Sequence, residues 1–185
     1  MSRGVSVGRR PTSVRDVERI RRLRFFRDLA PTEIRLLLSR GEVRRVAAGE
    51  FLATEGTRKQ RRVLYVVLRG GLEYVRRVRG AQAAVLLRLS PGDVGGFLTF
   101  FSDEPSPVSV RSAEPSLVFE IGRREFQGMM EEWPVLAAKA LFALLGATVA
   151  HLDALLDGQV AVAAWTLDMA HQLRQLPLMR DAQAR

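Results

Sequence analysis

The sequence predicts an α+β fold: an antiparallel β sandwich or barrel of hairpins, entered through short helices and left through a long one. Three observations carry this. Apolar residues fall at helical spacing before Gly41 and again after Gly122. Between them, short β-branched or aromatic runs recur about every 8–12 residues, each closed by glycine, proline or charge. After Trp133-Pro134 the apolar spacing lengthens into one sustained helical run. A chain of 185 residues with 47% hydrophobic and 26% charged content buries an ordinary core. It has no cysteine, so disulfides, thiolate metal sites and a cysteine nucleophile are excluded. That composition fits a reducing compartment, and a cytoplasmic protein is expected.

MSRGVSVGRRPTS lacks the apolar core of a secretory signal and reads as a disordered basic arm over 1–13. Val14, Val17, Ile20 and Leu23 then mark a short amphipathic helix with an arginine-rich outer face. Pro31 suits a first helical position and Glu33 the positive end of the helix dipole. Gly41 suits the C-terminal cap, so a helix is expected over Pro31–Arg40 with Ile34, Leu37 and Leu38 inward. In VLYVVLRG both alternating sets of side chains are apolar, which marks a central strand. GRREFQGMMEE returns to helix, with Phe126, Met129 and Met130 inward.

The long run from Val135 spaces Leu141, Leu145, Val149, Leu152 and Leu156 by four, four, three and four, a narrow coiled-coil-like seam. Two readings stand: a helix packed on its own β core, or a seam for a second copy or another protein. The tail from Ala161 continues as helix until Pro177. No run approaches the ~20 apolar residues of a membrane span, and none is expected. The domain plan is an arm over 1–13, a β unit with flanking helices over 14–134, and a helical segment over 135–185.

Net charge is +9, and lysine occurs only at Lys59 and Lys139. The arginines spread over Arg19–Arg27, Arg58–Arg62, Arg76–Arg79 and Arg180–Arg185, which reads mostly as solvated surface. His151 near Asp153, and His171 three residues after Asp168, read as surface ion pairs; no third metal ligand is evident. No phosphate-loop pattern is present, and no serine has a nearby histidine in sequence. No enzyme, metal or cofactor is expected.

The stretch from Pro91 to Val110 is the candidate site. A Pro-Gly-Asp turn leads into Gly95-Gly96, and Pro105 and Pro107 forbid helix further on. Such a loop either holds an anion on its backbone N–H groups or is a tight connection.

Taken together, Phe25 to Leu156 resembles the cyclic nucleotide-binding domain family. FFRDLAPTEIRLLL is similar to the family's opening helix, and LYVVLRG to its "Y-I-V-x-x-G" strand and turn. LSPGD is similar to "L-x-x-G-D", SVRSAEPSLVFEI to the strand pair after the pocket, and FQGMMEEWPVL to the helix before the hinge helix. The resemblance implies an antiparallel β-roll, a jelly-roll-like double-stranded barrel, flanked by N-terminal helices and a long C-terminal helix. It also implies a phosphate-binding cassette of the form "F-G-E … P-R-[AS]-A". There a glutamate accepts from the ribose 2′-hydroxyl and an arginine pairs with the cyclic phosphate.

By family position the pocket is Gly96, Phe97, Leu98, Pro105, Ser106, Val108 and Ser109. Phe97 stands where the glutamate belongs and Ser106 where the arginine belongs. Loss of such a charged contact costs on the order of 2–5 kcal/mol, or about 30-fold to several thousand-fold in affinity. Arg88 and Arg111 are the nearby candidates for a substitute anion contact. The resulting expectation is a regulatory or scaffolding module that does not bind cyclic AMP in the usual way. Its long helix pairs with itself or a partner. The alternatives are a cyclic nucleotide or cyclic dinucleotide sensor using substitute arginines, and a basic nucleic-acid-associated protein. The roughly 25 residues after the long seam are too few for the family's helix-turn-helix module, so none is expected.

Overall fold

The computed structural model of the chain describes residues 13–57, 62–77 and 83–175, with side chains up to residue 159. The expected arm before Ser13, the arginines at 58–61 and 79, the side chains of Asp168 and His171, and the tail beyond 175 lie outside the described residues. Contacts divide the chain into two compact units that meet between Thr148 and Val149. Each is taken by itself below.

The first unit opens with α1 (Val14–Arg21), where the Ser13 hydroxyl accepts the Asp16 N–H as an N-cap. Val17 and Ile20 are buried, but Val14 is exposed, since it sits in the first turn beyond the apolar arc. A 3-10 turn (Arg24–Phe26) buries Phe25 and Phe26. Helix α2 (Pro31–Ser39) starts at its proline, and the Glu33 carboxylate accepts the Ala30 N–H at 2.7 Å. Ile34, Leu37 and Leu38 face inward as their spacing requires.

Eight strands follow: β1 (Glu42–Val46), β2 (Phe51–Ala53), β3 (Val63–Arg69), β4 (Leu72–Arg77), β5 (Ala83–Leu89), β6 (Val94–Gly95), β7 (Ser109–Ser112) and β8 (Ser116–Gly122). They form two antiparallel four-stranded sheets, ordered β1-β8-β3-β6 and β2-β7-β4-β5. This is the α+β β-roll. The two faces of β3 serve two cores. Val63, Tyr65 and Val67 enter the space between the sheets, with Leu72, Tyr74, Val110 and Val118. Leu64 and Val66 enter the opposite core under the helices, with Ile34, Phe119 and Phe126. A doubly apolar strand must lie between two layers, and β3 does, with β8 and β6 as neighbours.

The short α3 (Phe97–Phe100) lies between β6 and β7, and α4 (Arg123–Glu132) follows β8. Phe126 and Met129 are buried, whereas Met130 is exposed, contrary to the expectation; its position falls outside the narrow arc that meets the core. Helix α5 spans Pro134–Gln175 without interruption at Gly146 or Gly158. Its opening turns belong to the first unit's core. Leu136, Ala137, Ala140, Leu144 and Ala147 are buried there, so that unit runs past the expected boundary at residue 134 to Thr148.

Two further readings of α5 change. Residues 134–159 are long and apolar enough, by length and composition, to cross a membrane, although Lys139 and Asp153 interrupt any continuous apolar run. A third of that window is buried in the protein, as in a core helix, which meets the same criterion. His151, read from sequence as a surface residue, is buried.

Candidate functional site

The loop from Pro91 to Val110 is built onto the open edge of β3. The β6 residues pair with it, Gly95 opposite Tyr65 and Val94 opposite Val66. Gly92 N–H donates to the Val67 carbonyl at 2.8 Å, and the Asp93 carboxylate accepts the Ser90 N–H at 2.9 Å, closing the Pro-Gly-Asp turn. Arg24 pairs with Asp93, which ties this turn to the segment after α1.

Gly96 is the pivot. Its φ is +85°, and a Cβ there would lie 2.2 Å from the Val63 carbonyl oxygen and 2.9 Å from the Tyr65 ring. Only glycine meets both demands. Its N–H donates to the Tyr74 hydroxyl at 3.3 Å, and its carbonyl accepts from Thr99 and Phe100. A cassette N–H that an anion would need is therefore already engaged by Tyr74. Burial pushes the Tyr74 phenol above its ordinary pKa, so it remains a neutral hydrogen-bonding group.

The two substituted positions sit as follows. Phe97 is half-buried, packs against both cores, and meets the Tyr74 ring edge-on with centroids 6.4 Å apart. Ser106 is buried, and its hydroxyl donates to the Val108 carbonyl two residues on, at 2.6 Å. It thus closes its own turn and presents no charge. The Ser106 carbonyl accepts the Gly56 N–H at 2.9 Å, and the Ser109 hydroxyl accepts the Glu55 N–H at 3.0 Å. The turn after β2 is thereby clasped onto the cassette loop. Pro105 is half-buried, Val108 is buried in the inter-sheet core, and Leu98 is largely exposed.

The space enclosed by these groups is about 10 Å³, lined by Ala53, Tyr74, Gly96, Leu98, Thr99, Ser106, Val108 and Val110. Sequence reasoning had not singled out Tyr74, Thr99 or Ala53. The signal for Tyr74 was its alternation with Leu72 along β4, which puts both on the inner face.

Arg88 and Arg111 do not enter this space. Leu89 and Val110, their neighbours, point inward, so both arginines stand on the outer face of their sheet. The strand register sets them either side of Glu73. Arg111 Nη2 donates to Glu73 Oε2 at 2.7 Å, and Arg88 Nε lies 3.4 Å from Oε1. Both are engaged by a buried carboxylate on the wrong face for an anion in the roll.

A larger cleft of about 680 Å³ lies away from the cassette, between the end of α2 and the start of α4. Three of its four arginines are already paired, Arg40 with Glu132, and Arg62 and Arg123 both with Asp103; Arg124 is the fourth. Nearby, Arg44 bridges Glu120 at 2.8 Å and also pairs with Glu50. Burial opposes the Arg44 charge, but those two carboxylates more than offset it and push its pKa up. Among the described residues no cluster of metal-binding side chains occurs.

A β-roll carrying a glycine-pivoted loop between its sixth and seventh strands defines the class. Residues 43–132 match the family model for the cyclic nucleotide-binding domain. Among relatives, the chain is similar to the cyclic AMP receptor protein of Thermus thermophilus, at 28% identity over 133 residues. The match covers 72% of this chain and 60% of that protein, so the chain spans about three fifths of its relative's length. The crystal structure of Thermus thermophilus catabolite activator protein superposes with a TM-score of 0.59 at 27% identity, covering 74% of this chain and 63% of that one. A cyclic nucleotide-binding domain from Methylobacillus flagellatus gives a TM-score of 0.68 at 19% identity, covering 78% and 80%, a likeness of fold.

Proposed function

We propose that this chain is a regulatory cyclic nucleotide-binding-like module whose cassette pocket is closed by its own side chains, so that it does not take cyclic AMP in the usual way. The observation that carries this reading is the enclosed volume of about 10 Å³ at the cassette position, against roughly 300–1,000 Å³ for pockets that hold small ligands. The engagement of the Gly96 N–H by Tyr74 and of the Ser106 hydroxyl by Val108 supports it. The placement of Arg88 and Arg111 on Glu73 speaks against a sensor that uses them in place of the cassette arginine.

The output surface in this reading is α5. In the first unit Val135, Ala138, Phe142 and Leu145 are all exposed and repeat at three-four spacing; Phe142 is 80% exposed. The same heptad spacing continues in the second unit at Val149, Leu152 and Leu156, also exposed. This differs from the seam expected from sequence, because Leu141 packs against the first unit's core. A strict heptad on an exposed helix supports pairing with a second copy of the chain.

Calorimetry with cyclic AMP and cyclic GMP tests the closed pocket. No saturable heat is expected at micromolar nucleotide; micromolar binding of either would overturn the reading. The double substitution Phe97→Glu, Ser106→Arg is expected to create binding, since it returns both side-chain anchors to the loop.

A further inference from the structure

Among the described residues the arginines are of two kinds. On the roll and α4, Arg44, Arg62, Arg76, Arg88, Arg111 and Arg123 each meet a carboxylate, whereas Arg45, Arg69, Arg77 and Arg124 stand singly at scattered positions. On α1 and its C-cap, Arg15, Arg19 and Arg22 are exposed, and among the described residues no carboxylate lies within ion-pair distance of them. Their spacing of four and three puts all three on one face of the helix. Asp16 is held by the cap, where it accepts from the Ser13 hydroxyl at 2.7 Å. Glu18 flanks the stripe without pairing with it. Arg69 extends the stripe onto the roll, since it and Arg19 border the same surface groove of about 300 Å³, which Asp16 also lines. Like charges at this spacing repel each other; Glu18, four residues before Arg22, and the negative C-terminal end of the helix beside Arg19 and Arg22 offset part of that repulsion.

We infer that the outer face of α1, Arg15, Arg19 and Arg22 with Arg69 beside them, is a sequence-independent contact surface for the phosphate backbone of nucleic acid. The helix rise of about 1.5 Å per residue steps the guanidiniums by roughly 6 and 4.5 Å, longer than the phosphate step of one strand, about 3.4 Å along the axis, so the long arginine side chains and not the helix rise would bring them to phosphates. Arginine's planar fork suits phosphate oxygens. An anionic membrane fits less well. A surface-lying helix inserts its apolar face, and here Val17 and Ile20 are spent in the protein core at 1% and 6% exposure, with only Val14 left outside. The opposite face of α1 is buried, so the helix offers backbone contacts and no base reading.

The test titrates the full chain into a fluorescent 20-base-pair duplex by anisotropy across a salt series. Phosphatidylserine vesicles and polyglutamate serve as parallel probes. Binding on the order of 10⁻⁵ M at low salt is expected, falling steeply as salt rises. In the triple variant R15Q/R19Q/R22Q the slope of log K against log salt is expected to shrink by about 2.7, at about 0.9 per lost phosphate contact, and in R19Q alone by about 0.9. A charge-matched control on paired arginines, R62Q/R76Q/R123Q, is expected to keep the wild-type slope. The inference is overturned if the duplex is not bound at low salt. It is equally overturned if the stripe variants keep the wild-type slope or if the control loses as much slope. Binding to vesicles or polyglutamate without binding to the duplex would also end it, assigning the surface to a membrane or an acidic protein.

Discussion

Replacing Gly96 by alanine separates two reasons a loop can require glycine. At Gly96 both apply: φ is +85°, and a Cβ would meet the Val63 carbonyl oxygen at 2.2 Å with the Tyr65 ring at 2.9 Å. The left-handed conformation costs an L-residue about 1–2 kcal/mol. Forcing a methyl against a strand backbone adds about 1–3 kcal/mol, because the atom in the way belongs to the central strand and not to a flexible side chain. The expected loss for Gly96→Ala is therefore about 2–5 kcal/mol. Gly56 is the internal control. Its φ is +75°, and a Cβ there meets nothing within 4 Å, so Gly56→Ala should lose only about 1–2 kcal/mol. Urea unfolding of the two variants beside the parent gives the difference, and a chain of this size converts each kcal/mol to about 2–4 °C in Tm. Equal losses at the two positions would refute the claim that β6 and α3 are pressed onto β3, and with it the account of why the cassette space is so small.

Two other outcomes are expected. Lys139, hydrogen-bonded to the carboxylate, and then the Ala30 N–H hold Glu33 below its ordinary pKa. A lowered folded-state value contributes stability above the unfolded pKa of about 4.3 and loses it as pH falls through the folded value. Glu33→Gln should thus cost about 0.5–1 kcal/mol at pH 7, discounted for its solvent exposure, with the gap closing below about pH 4; a gap unchanged between pH 7 and pH 3 contradicts this. For the helix seam, Leu145→Glu with Leu152→Glu should convert a dimer to monomer by sedimentation, with each substitution at these exposed sites moving stability by less than about 0.5 kcal/mol. A monomeric parent chain would remove the pairing reading.

Much of the fold was legible because its signals are local. A doubly apolar VLYVVL run has to lie between layers, and β3 does. Pro31 and Glu33 mark a helix start by chemistry that acts within one turn, and α2 begins there. The identity of the cassette positions was equally readable, since Phe97 and Ser106 are a matter of alignment to a motif. What those side chains do was not readable. The fate of Ser106 depends on a turn that closes onto Val108, and that of Gly96 on a hydroxyl 22 residues away on β4. Met130 was misjudged for a related reason, and the two readings of Leu141 could not be separated. Periodicity marks an apolar stripe, but the shape of the neighbouring layer decides which part of it is covered.

The division falls on distance along the chain. Composition, helical and strand periods, turn chemistry and the missing acid and base of the cassette are properties of residues and their near neighbours, and the amino-acid order settles them alone. Which carboxylate answers which arginine is different. Arg88 and Arg111 were candidates for a phosphate until the pairing of β5, β4 and β7 set Glu73 between them on the outer face. Among the described residues no carboxylate lies within ion-pair distance of Arg15, Arg19 and Arg22 on α1 and its cap. Strand register joins residues tens of positions apart, and a shift of one residue would turn every side chain to the other face. Only the assembled sheets, therefore, decide whether the cassette is open, which cations are spent and which remain available.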